Sequence, residues 1–103
     1  MTLIRDFAIP ALGQGDPHFS FMRNEDWFVG HSWAAGLFPF ADSRNQESSS
    51  EAVNGYYAIA LYGLAIKNDR IKDLGRLALA SEIRYLLKII HFHYVLFSYT
   101  VGA

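Results

Sequence analysis

SSSEAVNGYYAIALYGLAIKNDRIKDLGRLALASEIR, residues 48–84, decides the fold. Val53, Tyr56, Tyr57, Ala60, Leu61 and Leu64 recur at i, i+3, i+4, i+7, i+8 and i+11, the spacing of one helix face. Ser48 followed by Glu51 has the form of a capping box. The pattern predicts a helix from about Ser49 to about Lys67. Asn68 suits its end, and Asp69 suits the N-cap of a second helix. There Ile71, Leu74, Ala78, Ile83, Leu86 and Leu87 repeat on a similar period. Gly75 interrupts that helix at a cost of roughly 1 kcal/mol relative to Ala. A connection of so few residues implies an antiparallel helical pair. The class is therefore all-α, with a long aromatic loop feeding the first strong helix.

Upstream, the pattern is irregular. Residues 3–8 read as the end of a helix stopped by Pro10, which suggests a chain that begins inside a domain. Residues 9–30 are punctuated by Pro10, Gly13, Gly15, Pro17 and Gly30 and read as loop. Residues 31–47 continue in the same way, mixing Trp33, Phe38 and Phe40 with Gly36, Pro39, Asp42 and Asn45. A connection that long is uncommon unless it carries function. Downstream, RYLLKIIHFHYVLFSYTVGA is apolar and rich in aromatic and β-branched residues. Lys88, His91 and His93 interrupt it before it reaches the roughly 20 apolar residues that a spanning helix needs. It reads as a buried helix or strand.

Composition narrows the function classes. The 103 residues allow one small domain, and 51% of them are hydrophobic, so the chain can build a core. Nine basic residues against ten acidic ones leave no basic surface for nucleic acid. With no cysteine there is neither a disulfide frame nor a thiolate metal site. His91 and His93, two apart, would share one face of a strand, but two histidines without a third ligand make a poor metal site. Gly13-Gln14-Gly15 lacks the Lys-Ser or Lys-Thr pair of a phosphate loop. The first residues carry an early Arg and Asp and no continuous apolar run, so they do not read as a secretory signal.

The candidate chemistry centres on Glu47 and Glu51. As structure, Glu51 closes the capping box and Glu47 meets the positive end of the helix. As chemistry, carboxylates four apart on a helix have Cβ atoms roughly 6 Å apart. Inverting glycosidases hold two carboxyl groups about 6.5–9.5 Å apart, leaving room for a water. The spacing permits a catalytic pair without requiring one. Asp26 in a loop is a turn former by default, His31 is ordinarily a hydrogen-bonded structural histidine, and Trp27 and Trp33 are ordinarily core. Yet indole and phenol faces also stack on pyranose rings, which gives Trp27, Trp33, Tyr56 and Tyr57 a second reading. Asn45, Gln46 and Asn54 can bond sugar hydroxyls.

At DWFVGHSWAAGLFPFADSRNQESSSEAVNGYYAIALYGL, residues 26–64, the residues stop being generic. Gly30-His31-Ser32-Trp33-Ala34, then Gln46-Glu47-Ser48-Ser49-Ser50-Glu51-Ala52 and Asn54, closely resemble glycoside hydrolase family 81, the endo-1,3-β-glucanases. The resemblance covers about residues 3–84. It implies part of an (α/α)6 toroid that follows a β-sandwich domain, and cleavage of internal 1,3-β bonds of glucan with inversion and without a metal or other cofactor. Glu47 matches the family's general base and Glu51 its supporting glutamate. Asp26, His31, Trp33, Asn54 and Tyr57 fall in the substrate cleft. The partner implied is β-1,3-glucan, with no nucleic acid and no membrane, and the setting implied is extracellular or the cell wall.

The departures from the family bear on activity. Its general acid lies in an Asp-His-His-Phe-His-Tyr-Gly-Tyr segment that this chain does not contain. The tail from Tyr85 also leaves the family pattern. The expectation is a catalytic-domain fragment over residues 1–84, with a divergent apolar tail over residues 85–103, close to inactive alone. Two alternatives stand beside it. One is a glucan-binding module without turnover, like the elicitor-binding proteins of plants. The other is a small membrane-associated helical protein built around the tail.

Overall fold

The helices pair because small residues let their backbones touch. The computed structural model describes residues 22–36 and 45–102. Its elements are β1 (Glu25–Asp26), β2 (His31–Ser32), α1 (Ser49–Ala65) and α2 (Asp69–Val101). A Cβ placed on Gly63 would lie 2.2 Å from Lys72 N, and one on Gly75 would lie 2.5 Å from Ala60 N. Those two close approaches make α1 and α2 antiparallel, in agreement with the all-α helical pair. They also correct the reading of Gly75 as a weak point. Its missing side chain is what admits α1.

The buried faces differ from the expected ones for the same reason. On α1 the buried residues are Ala52, Tyr56, Ile59, Ala60 and Gly63, while Tyr57, Leu61 and Leu64 are exposed. The stripe is rotated toward the small residues, because a backbone-to-backbone contact has no room for Leu61 or Leu64. On α2 the buried set is Ile71, Leu74, Gly75, Ala78 and Glu82. Ile83 and Leu87 point outward. The core joins Met22, Ala52, Tyr56, Ile59, Ile71, Leu74 and Ala78, with Tyr62 and Leu79 packed against it. Full burial of a side chain such as Ile71 contributes about 1.5–3 kcal/mol.

The turn between the helices also departs from expectation. Lys67 takes the left-handed conformation at φ 55°. Asn68 N–H donates to the Gly63 carbonyl at 2.8 Å and Lys67 N–H to that of Leu64 at 3.1 Å, the two bonds of a Schellman turn. Asn68, not Asp69, is then the N-cap of α2, its side chain accepting Ile71 N–H at 3.2 Å. The asparagine carboxamide reaches one residue earlier than expected because the turn closes in three residues.

Within the stretch expected to be loop, residues 25–32 form a hairpin that pairs Glu25 with Ser32 and Asp26 with His31. Asp26 builds its turn. Oδ1 accepts the N–H groups of Phe28 at 3.1 Å and Val29 at 3.2 Å, and Gly30 closes it at φ 90°. A second pairing joins Trp33 to Gln46. Downstream, the tail is neither buried nor a strand. It continues α2 to Val101 with Ile90, Tyr94, Phe97 and Tyr99 exposed. His91 and His93 are therefore on a helix and do not share a face. Among the described residues, no helix is long and apolar enough to cross a membrane. The expectations for residues 3–8, Pro10 to Pro17, Phe38 and Phe40 lie outside the described residues.

Candidate functional site

Ser32 is the hub of the site. Its N–H donates to Glu82 Oε2 at 3.1 Å, and its Oγ donates to Glu25 Oε2 at 3.0 Å. Tyr56 OH also donates to Glu25 Oε2, at 2.9 Å, and touches Ser32 Oγ. The Ser32 carbonyl accepts twice, from Glu47 N–H at 2.9 Å and from His31 Nδ1 at 2.9 Å. A carbonyl can only accept, so His31 Nδ1 carries the proton. One buried residue thus joins the hairpin, both helices and the segment that carries Glu47.

Glu47 occupies the last position before the helix cap. Ala34 N–H bonds Asn45 O at 2.8 Å, so residues 45–47 run alongside residues 32–34. The Glu47 side chain is half-buried, and its Oε1 accepts Ser48 N–H at 3.0 Å. In a capping box, that N–H belongs to the glutamate three residues into the helix. Ser48 makes no side-chain cap bond, and its hydroxyl meets Ser50 Oγ at 2.9 Å instead. The expected Ser48–Glu51 box is therefore absent, because Glu47 takes the donor that Glu51 would have taken. Glu51 is left exposed in the first helical turn.

An aromatic group adjoins Glu47. The His31 ring lies 4.5 Å from that of Trp33, edge-on, and 4.5 Å from that of Tyr85. Tyr85 OH donates to Gln46 Oε1 at 3.1 Å. Trp33 Nε1 donates to Asp26 Oδ2 at 3.2 Å. Trp33 is half-buried and His31 is 3% exposed. The site residues read from the sequence thus fall into two sets. Asp26, His31, Trp33 and Glu47 are linked by direct bonds, ring contacts or Ser32. Glu51, Asn54 and Tyr57 lie on the exposed surface of α1.

The electrostatics follow from burial and bonding. The Trp33 indole bond, followed by the Val29 N–H, holds the Asp26 carboxyl below the ordinary aspartate range. Burial, with Glu25 pushing the same way, raises Glu82 above the ordinary glutamate range against bonds from Ser49 and Ser32. Burial likewise drives the Tyr56 phenol upward, so it stays a neutral donor. Sequence reasoning missed Glu25, Ser32, Glu82 and Tyr85. Two of them carried a signal: Ser32 stands inside the Gly30-to-Ala34 motif, and Glu82 is a carboxylate four residues after Ala78, on the stripe through Ile71, Leu74 and Ala78.

The chain matches the glycosyl hydrolase family 81 C-terminal domain over residues 1–100. It is 48% identical over 77 residues to glucan endo-1,3-beta-D-glucosidase 2 of Saccharomyces cerevisiae, covering 75% of this chain and 10% of that protein. To the glucan endo-1,3-beta-D-glucosidase of Acetivibrio thermocellus it is 48% identical over 81 residues, 79% of this chain and 10% of the relative. To the primary septum glucan endo-1,3-beta-D-glucosidase of Schizosaccharomyces pombe it is 36% identical over 86 residues, 84% of this chain and 8% of the relative. The chain spans about a tenth of the length of the curated relatives it matches. No solved structure matches it.

Proposed function

The chain belongs to glycosyl hydrolase family 81, and on that premise we propose that it supplies the base side of an inverting cleavage of internal 1,3-β bonds in glucan. Glu47 is the group that deprotonates the attacking water, and Glu51 supports it from the first helical turn. Trp33 and Tyr85 offer flat faces to pyranose rings, and Asn54 and Tyr57 bond sugar from the exposed side of α1. His31 and Asp26 hold the indole and the turn. No residue of this chain is proposed as the general acid, so the chain acts as part of a larger catalytic domain, and of residues 85–103 only Tyr85, through Gln46 and His31, joins the site.

The observation that carries this reading is the anchoring of Glu47. Its backbone is bonded to buried Ser32 at 2.9 Å, and one carboxylate oxygen is bonded to Ser48 N–H. Oε2 makes no hydrogen bond among the described residues, which leaves it for water. A base must be held while one oxygen stays available.

The test grafts residues 1–84 into the Acetivibrio thermocellus relative in place of its matching segment and assays 1,3-β-glucan cleavage. Glu47→Gln should lower turnover by about 10²- to 10⁴-fold, the usual weight of a general base, with glucan binding kept. Unchanged cleavage overturns the role given to Glu47. A graft that binds glucan and never cleaves it, with either residue at position 47, favours a binding module instead.

A further inference from the structure

Glu25 and Glu82 are charged residues with no solvent exposure. Neither belongs to the proposed pair of Glu47 and Glu51. Each uses Oε2 on Ser32, and each leaves Oε1 buried with no hydrogen-bond partner. Burying two carboxylates against one serine is costly, and such an arrangement persists where it fixes something. The atom it fixes is one bond from the proposed base, since the Ser32 carbonyl receives Glu47 N–H.

We propose that Glu82 and Glu25 are positioning residues for Glu47, acting through Ser32. The proposal rests on the reading of Glu47 as base. Glu82 holds the Ser32 N–H and Glu25 holds its hydroxyl, which pins the Ser32 Cα from two sides, and the next peptide plane, which carries the Ser32 carbonyl, is held in turn by Trp33 N–H on Asn24 O at 2.8 Å. The carbonyl of Ser32 is therefore aimed at the 45–47 segment, and Glu47 leaves its cap position only if this clamp opens. The groups facing Glu82 are Glu25 from β1, His31 from β2 and Tyr56 from α1. Two carboxylates this closely linked cannot both be ionised cheaply. A proton on Glu82 removes one of the two buried charges and leaves its Oε2 able to accept from Ser32.

The experiment follows amide hydrogen exchange and amide NMR shifts in the full 103-residue chain. Glu82→Gln keeps an acceptor for Ser32 N–H and should leave the protection of the Ser32 and Glu47 amides near that of the wild type. Glu82→Leu removes the acceptor. Protection of those two amides should then fall by about 10- to 100-fold, the weight of leaving one buried donor unsatisfied, while Ile59 and Leu74 keep theirs. Unchanged protection at Glu47, or an equal fall at all four amides, overturns the proposal.

Should Glu82→Leu fail to fold, the wild-type titration decides. The amide shifts of Ser32 and Glu47 must move together through one pH transition that is missing from Glu82→Gln. No transition, separate transitions, or one that survives in Glu82→Gln overturns the proposal. None of these readouts measures catalysis, so a failure of Glu47 as base, seen in the graft, is distinguishable from a failure of the clamp.

Discussion

Glu82 accepts the backbone N–H of Ser32 at 3.1 Å from fifty residues further along the chain. That bond fastens the middle of α2 to the hairpin. The contact is polar at a position where the helix stripe, running from Ile71 through Ala78, would otherwise be apolar. An apolar residue at position 82 would leave the Ser32 N–H buried without an acceptor. Losing such a bond costs about 1–3 kcal/mol.

The pH dependence of stability should report this carboxyl. Burial makes the folded chain hold the Glu82 proton more tightly than the unfolded chain does. That contribution is complete below the unfolded value of about 4.5 and is lost as pH rises through the raised folded value. Asp26 works in the opposite sense. Its contribution is present above about 3.8 and fades as pH falls, because the Trp33 bond favours the charged form. In thermal unfolding from about pH 5 to about pH 8, Glu82→Gln should lose less than the wild type. The gap should widen steadily as pH rises across that range. A gap that stays constant across the range contradicts the account.

The helix contact makes a second prediction. A methyl on Gly75 meets Ala60 N at 2.5 Å and Tyr56 O at 2.9 Å, both of them backbone atoms that cannot swing aside. Gly75→Ala should destabilise by about 1–3 kcal/mol or more despite the better helix propensity of alanine. Gly55, with nothing within 4 Å of its Cβ direction, is the control. Gly55→Ala should stabilise by roughly 0.5–1 kcal/mol. Denaturant midpoints of the two variants, moving in opposite directions, would bear this out.

The connection gives a prediction of the opposite sign. Lys67 holds φ 55°, a conformation that costs a non-glycine residue about 1–2 kcal/mol. Lys67→Gly relieves it and keeps both Schellman bonds, since those use only backbone atoms. Set against glycine's greater unfolded-state freedom, the net gain should be at most about 1 kcal/mol. A midpoint lower than that of the wild type would mean that the lysine side chain contributes contacts that outweigh the strain.

The helix pair was legible from periodicity and from the Asn68-Asp69 punctuation, whereas its faces were not. Residues 52–64 are apolar nearly all round, so two stripes one residue apart fit the same spacing. Backbone contact at Gly63 and Gly75 chose between them, and that is a tertiary fact. The motif around Glu47 was legible as a string of residues. The network beneath it was not, because Glu25, Ser32, Tyr56 and Glu82 are scattered over 58 positions and meet only after the helices pair. Tyr85 stood at the head of a tail that reads as generic apolar sequence, and only the fold brings its ring to His31.

Glu51 allows chemistry to be separated from capping. Had it closed a box with Ser48, removing it would have cost a cap, about 0.5–2 kcal/mol, and any lost activity would be ambiguous. Glu47 bonds Ser48 N–H instead, so Glu51 gives the helix no more than the charge of a first-turn acid, about 0.3–1 kcal/mol. In the 103-residue chain, Glu51→Gln should therefore change stability by no more than about 1 kcal/mol, whereas Glu47→Ala should cost more by freeing the cap N–H. In the grafted enzyme the order should reverse in kind. If Glu51 supports the base, Glu51→Gln lowers turnover while leaving the unfolding midpoint nearly fixed. Loss of both together in Glu51→Gln would return the residue to a structural role and leave Glu47 to act without it.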